Sequence, residues 1–356
     1  MSQPLILSTV RVDPRHRIYH SPDAAPLHGD QLNAGLLLQA VVAGLAAGAV
    51  YGVVGLGYGL VYRMSGVINF AQGDLVTAGV YTLLLVAGGG GAVALVGLSP
   101  ALLAAAVVVA VGAGIAAALL VERAAVAPFL ARGSTVGWVA ATVAAGLFLR
   151  ALVGSVFQAE SYTVPELLPL QQVLGYSTVT LTGGAILQLR GLAVLGVGLL
   201  LAVGFDRWLS RSRTGRAMQA TTQDADAARL CGVSPERLRL LAWGLAGALA
   251  VVAGLLVAPS RPLTIELGVV LGLKGTAAAV LGRLGSARGT IIAGLALGTG
   301  ESLLTTLSLP SITLGPVHLA QVGPFPGLQD VGVLLVLVGV LALAPRALGH
   351  LAEAAE

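Results

Sequence analysis

Five polar residues stand out because their surroundings give them nothing to dissolve in. Asn69, Gln72 and Asp74 sit near the head of an apolar run that ends at Ala87, while Lys274 and Glu301 interrupt two later apolar stretches. A charge at the centre of a bilayer costs about 2.5–3.5 kcal/mol on insertion scales, so such a group must face a cavity or a partner. Two readings of the first group stand. The three side chains line or shape a translocation route, or they start a helix, with Asn69 as its cap and Asp74 set against its N-terminal dipole. Lys274 and Glu301 fall on consecutive predicted helices of opposite direction and can approach one another. They make either an element of a pathway or gate, or a structural ion pair, the lysine alternatively reaching to the interface.

A further constellation lies between apolar segments, at 210–239. Arg207, Arg211, Arg213, Arg216, Arg229, Arg237 and Arg239 crowd 207–239. Ala217 to Leu230 is rich in helix formers, Gly232 follows as a stop and Pro235 can open the next helix. The pattern predicts a short helix outside the membrane, serving as an interfacial linker or as a docking knob for a cytoplasmic partner. Enzymatic chemistry has little to work with. The five histidines (His16, His20, His28, His318 and His350) lie in tails or loops, so the spans offer no metal cluster. Cys231 is the only cysteine, which excludes an intrachain disulfide and a cysteine metal site.

The elements that hold these residues follow from composition. The chain is 56% hydrophobic and only 10% charged, with a mean hydropathy of +0.90. A soluble domain is about 25% charged, so most of this surface must face lipid. The 49 glycines, with abundant alanine, fit helices that approach closely inside a membrane. A crossing needs about 20 apolar residues. Candidate spans are 36–62, 66–87, 101–121, 137–156, 188–208, 240–258, 267–283, 289–307 and 331–345. The head of 66–87 is polar enough to be broken or re-entrant, and 267–283 is short and carries Lys274. The expected fold is an all-α, polytopic transmembrane bundle of eight or nine spans, covering 35–347, with room for broken or re-entrant segments.

Loop charge sets the orientation. The arginine-rich 207–239 belongs in the cytoplasm, and 157–187 and 309–330, which contain no Lys or Arg, belong outside. Arg123, Arg132, Arg283, Arg288 and Arg346 then all fall inside. Residues 1–34 form a polar, disordered or surface-lying tail without a secretory signal, which nine crossings would place outside against the rule, and 348–356 a short cytoplasmic tail. A net charge of +4 carried by loop arginines sets topology and gives no reason to expect nucleic-acid binding. A faint internal echo links 65–74 with 282–290 in its small and polar punctuation.

Three blocks together resemble the branched-chain amino acid ABC transporter permease family. The first runs Leu56-Gly57-Tyr58-Gly59-Leu60-Val61-Tyr62 into Gly66-Val67-Ile68-Asn69-Phe70-Ala71-Gln72-Gly73-Asp74. The second holds Thr214-Gly215-Arg216-Ala217 and Asp224 through Gly232-Val233, where the family has its coupling loop. The third runs Lys274-Gly275-Thr276 through Gly282, then Gly285-Ser286, Gly289, Gly294 and Gly298 to Glu301. The likeness spans about 36–346, with two departures: Gln223 stands where an acidic residue is common, and Arg283 where relatives often have glycine.

The resemblance implies a permease subunit in a bacterial inner or plasma membrane. It would work beside a second permease subunit, homologous or identical, with two cytoplasmic ATP-binding subunits and an extracytoplasmic solute-binding protein. Arg216 and Asp224 would be the candidate contacts for the ATP-binding subunits, and Gly232 the turn that aims the helix. The chain would be no enzyme and carry no cofactor, and ATP with Mg²⁺ would be used by the partner subunits. The sequence agrees, since it contains no phosphate-binding loop of the G-x-x-x-x-G-K-[ST] type. Leucine, isoleucine or valine are the implied solutes, with urea and short amides as alternatives. A stand-alone secondary transporter or channel, with Lys274, Glu301 and Asp74 as an ion path, is the rival reading.

Overall fold

The computed structural model describes residues 34–88, 99–134, 136–157 and 186–306, with a few short stretches between and beyond them. All but the last residue of the expected N-terminal tail, most of the expected span at 331–345, and the C-terminal tail lie outside the described residues.

Nearly everything described is helical. The order is α1 (Ala34–Ser65), α2 (Gln72–Gly88), α3 (Pro100–Leu120), α4 (Ala127–Ala131), α5 (Gly137–Val156), α6 (Leu189–Arg211), α7 (Arg213–Gln223), α8 (Ala225–Leu230), α9 (Pro235–Val257), α10 (Leu267–Leu281) and α11 (Ala287–Thr306). Two short antiparallel hairpins, Thr178–Thr180 with Ile186–Gln188 and Thr313–Leu314 with Val317–His318, are the only named strands among the described residues. Five stretches, Gly35–Ser65, Pro100–Ala131, Gly137–Val156, Leu189–Arg211 and Pro235–Ser260, are long and apolar enough to cross a membrane. The protein is thus an all-α, multi-pass membrane protein.

Two predicted spans come out short. α2 has 17 residues and α10 has 15, or about 26 and 22 Å of helix against a hydrocarbon core of about 30 Å. The expected span at 66–87 therefore begins late. Residues 66–71 are not helical, and the chain climbs through them from the end of α1. The two segments of the faint echo, 65–74 and 282–290, each join two helices through a left-handed glycine, Gly66 at φ 69° and Gly285 at φ 96°. The second also holds Arg283 at φ 61°.

Glycine replaces the hydrophobic effect as the organiser of the core. α1 runs through the middle of the bundle and packs on α11, α9, α10 and α6. At its crossing with α11, Gly44, Gly48 and Gly52 meet Gly294 and Gly298, so both helices carry small residues four apart. A Cβ added to Gly48 would lie 2.5 Å from the Gly294 carbonyl oxygen. Backbone therefore touches backbone along this seam, and the Ser302 hydroxyl extends it by donating to the Ala40 carbonyl at 2.7 Å. α9 is held in the same way, its Gly247 facing Gly114 of α3 and its Gly254 facing Val76 and Val80 of α2.

After α3 the helix passes through a π-turn at Val121–Val126. Pro128 lacks the amide that would complete an α-helical bond there, and the Ala127 amide reaches back five residues to the Glu122 carbonyl. The turn places Glu122 at 1% exposure, where it accepts from Arg239 Nε at 2.7 Å.

The two ends of the bundle are tied differently. At one end Arg63 donates to the Gly285 carbonyl, Arg288 pairs with Asp206 at 3.0 Å and Trp243 Nε1 donates to Ser65 Oγ at 3.1 Å. At the other, Tyr162 and Leu263 exchange backbone hydrogen bonds beside a cluster of Tyr81, Phe157 and Tyr162 rings.

Candidate functional site

The residues singled out in the sequence resolve into clusters buried among the helices and one helical element between α6 and α9. The first cluster sits at the break before α2. Non-helical backbone at membrane depth is tolerated only where protein satisfies it, and Asn69 and Gln72 do so. Asn69 Oδ1 accepts the Ala71 amide at 3.1 Å and its carbonyl accepts the Gln72 amide at 3.1 Å. Asn69 Nδ2 donates to Gln72 Oε1 at 3.2 Å, and Gln72 Nε2 donates to the Ala246 carbonyl of α9 at 2.8 Å. Both side chains are fully buried. Gly57 of α1 leaves the space that the Gln72 amide fills, and Gly73 lies against Gly268 at the start of α10. The break is a structured joint, and Asn69 is its cap.

Asp74, in the first turn of α2, complements the helix dipole as one of the two readings required. It also has a partner that the sequence reading missed. Arg150 of α5 donates to Asp74 Oδ1 from Nε at 3.1 Å and from its terminal nitrogen at 2.9 Å. Gly146, one turn earlier on α5, admits the carboxylate, because a Cβ there would collide with it. A lone arginine within the apolar run 137–156 was the available signal, by the same rule that drew attention to Asp74.

Lys274 and Glu301 do meet. Lys274 Nζ lies 2.6 Å from Glu301 Oε1, with side-chain exposures of 3% and 7%. Tyr51 of α1 donates to Glu301 Oε2 at 2.9 Å, and Lys274 Nζ stands 5.4 Å from the Tyr51 ring centroid. The triad ties α1, α10 and α11 together. Each acidic residue of the suggested ion path is thus engaged by a cation of its own.

The element between α6 and α9 differs from the single helix expected at 217–230. It is two helices, α7 and α8, divided at Asp224, whose backbone is extended (φ −153°, ψ 105°). The reason is capping: Asp224 Oδ1 accepts the Asp226 and Ala227 amides at 2.9 Å each, so the residue starts a helix instead of continuing one. Ser212 caps α7 by accepting the Gly215 amide at 2.9 Å. Gly232 has φ 81° and follows the C-cap of α8, with the Val233 amide bonded to the Ala228 carbonyl at 3.0 Å, a left-handed stop that favours glycine. Met218 is fully buried beside Leu60, Leu209 and Ala242, which roots α7 on the bundle. Arg216 is exposed. Arg229 donates to Glu236 and Asp226, and these bonds, Glu236 first, raise its pKa above the ordinary arginine value.

These features make a multi-pass helical membrane protein with glycine seams, a non-helical joint before α2 and a capped helical pair at one end. The comparisons with known proteins agree. A family model for the branched-chain amino acid transport system permease component matches residues 40–341. The branched-chain amino acid permease protein BraD of Pseudomonas aeruginosa is 30% identical over 268 residues, 74% of this chain and 85% of the relative. LivH of Escherichia coli, a permease of the same transport class, is 30% identical over 269 residues, 75% of this chain and 85% of the relative. An archaeal relative, the probable LivH of Methanocaldococcus jannaschii, is 28% identical over 260 residues, 71% of this chain and 76% of its own. No solved structure matches. The chain belongs to the branched-chain amino acid transport permease family.

Proposed function

We propose that this chain is the membrane-spanning permease subunit of an ATP-binding-cassette importer for branched-chain or other hydrophobic amino acids. It crosses the bilayer eight or nine times, with the short helices α2 and α10 counted among the crossings, in a bacterial inner or plasma membrane. Two separate ATP-binding subunits grip α7 and α8 from the cytoplasm, a second permease subunit completes the pathway, and an extracytoplasmic binding protein delivers the solute. Closure of the ATP-binding subunits pushes on this helical pair and tilts α6 and α9, which flank it, so that the pathway opens alternately to either side. ATP shifts that balance only through its different affinity for the two states.

The observation that carries the reading is the α7–α8 pair itself. It is capped at Ser212 and Asp224, stopped at Gly232 and rooted by Met218 between two long apolar helices. A flexible linker needs none of these devices, whereas a handle that transmits force needs them all.

Cys231, exposed at the end of α8 and the only cysteine in the chain, provides a direct test. A membrane-impermeant maleimide should label it in inside-out vesicles and leave it unmodified in intact cells. Labelling from outside would put the handle on the wrong face and overturn the reading. Co-purification should bring two ATP-binding subunits with the chain, and the reconstituted complex should take up leucine only when supplied with ATP.

A further inference from the structure

The arginines at one end of the bundle outnumber the acids that could answer them. Two cavities of about 430 and 440 Å³ lie between the end of α6, the turn before α11 and the first turns of α11. They share Asp206, Ser210 and Arg288, and so form one cleft. Arg63, Arg207, Arg211, Arg283 and Arg288 line it, and Asp206 is its only carboxylate among the described residues. Asp206 pairs with Arg288 at 3.0 Å, and that arginine side chain is 78% exposed. An ion pair so open to its surroundings stabilises little. Arg63 is spent on the Gly285 carbonyl. Arg207, Arg211 and Arg283 are exposed and make no ion pair among the described residues. Like charges gathered in one cleft repel each other, so the cleft favours an anion from outside the chain.

The same cleft has an apolar side. Val203, one turn before Arg207 on α6, and Ile292, one turn after Arg288 on α11, stand in the wall that holds Arg207 and Arg211. Val203 is 41% exposed and Ile292 68%, and Leu200, a further turn back along α6, is 72% exposed. The Asp206–Arg288 bond joins the C-terminal end of α6 to the N-terminal end of α11. Both steps therefore lead the same way, from the end of the bundle toward its middle. Each helix shows a guanidinium first and an exposed apolar side chain one turn deeper. A soluble anion uses only the first of these levels. A phospholipid uses both.

We propose that this cleft is a site for an anionic phospholipid. The phosphate diester takes Arg207 and Arg211, which stand one turn apart on α6 and whose planar forks match its oxygens. Arg288 closes on it from α11, and an acyl chain lies along Val203, Leu200 and Ile292. Basic pockets between membrane helices take headgroups of this kind. Gln219 of α7 lines the same cleft and donates to the Leu209 carbonyl at 3.3 Å. The bound lipid thus sits at the root of the α7–α8 pair. The proposal needs only that the chain spans a membrane, so it stands or falls separately from the import function.

The test uses the whole complex that co-purifies with this chain, in nanodiscs of phosphatidylcholine doped with a phosphatidylglycerol whose acyl chain carries a diazirine near the ester. Irradiation should attach this lipid to peptides of α6 and α11 that contain Leu200, Val203 or Ile292. Unlabelled phosphatidylglycerol should displace it, and inorganic phosphate should not. Arg207→Gln with Arg211→Gln should weaken the apparent affinity about 30-fold, about fivefold for each charge removed. Arg123→Gln with Arg132→Gln removes the same charge from another loop and should leave the labelling unchanged. Labelling spread evenly over the other lipid-facing helices overturns the site, as does displacement by inorganic phosphate or an equal loss from both double variants. Because the label is mapped on the wild-type protein, a variant that fails to assemble does not remove the test.

Discussion

Replacing Lys274 by methionine leaves Glu301 as a carboxylate at 7% exposure with the Tyr51 hydroxyl still donating to it and no cation 2.6 Å away. Breaking a buried pair from one side costs about 3–5 kcal/mol, because the stranded charge keeps its desolvation penalty. Glu301→Leu strands the ammonium instead and also loses the hydrogen bond from Tyr51, worth about 1.5–3 kcal/mol when the acceptor is charged. The double variant Lys274→Met with Glu301→Leu strands neither charge and should be no less stable than the better single variant. The double-mutant cycle should then close with a coupling of about 3 kcal/mol. Reversible denaturation in mixed detergent micelles, followed by tryptophan fluorescence, reads all four proteins. Additive single effects, or single variants as stable as the wild type, would refute the claim that the two charges exist for each other. The same four proteins separate structure from transport. If the double variant is stable and imports leucine normally, the pair is a clip between α10 and α11, and if it is stable but inactive, the pair is part of the moving machinery.

Other expectations follow from single positions. Gly298→Val should disrupt the α1–α11 seam, where Gly48 and Gly44 leave no room for a side chain, costing about 1–3 kcal/mol as overpacking and lowering the folded yield measured by fluorescence-detected size exclusion. Arg283→Gly should be neutral or stabilising by up to about 1 kcal/mol in a thermal melt, since residue 283 has φ 61°, a left-handed backbone that disfavours side chains. Gly232→Val should strain the turn after α8 and uncouple ATP hydrolysis from uptake, so that the complex hydrolyses ATP without moving leucine; unchanged coupling would count against the lever. Asp224→Ala removes the cap of α8, worth about 1 kcal/mol, and should raise amide exchange at Asp226 and Ala227 without changing exchange in α9.

How much of this was legible in the sequence depends on the range of the interaction. Composition alone established lipid as the solvent, because 10% charge cannot hydrate a chain of this length. Apolar run lengths placed most of the described helices to within a few residues, although α2 begins only at Gln72. Local chemistry was equally readable: Asn69 caps a broken helix, and Gly232 stops another. Asp224 was misplaced inside a continuous helix because its capping role depends on which of two local hydrogen-bonding schemes the backbone adopts.

The pairings were a matter for tertiary structure. Asp74 meets Arg150 across 76 residues, and Glu122 meets Arg239 across 117. No periodicity encodes such distances, since each pair is set by how far two helices slide before their glycines interlock. Lys274 and Glu301 were foreseen because they sit on consecutive antiparallel helices, where connection limits the slide. The sequence by itself determined the solvent, most of the long apolar helices and stops such as Gly232. Only the folded bundle decided which charge answers which, because inside a membrane it is close backbone packing, not hydrophobicity, that sets one helix against another.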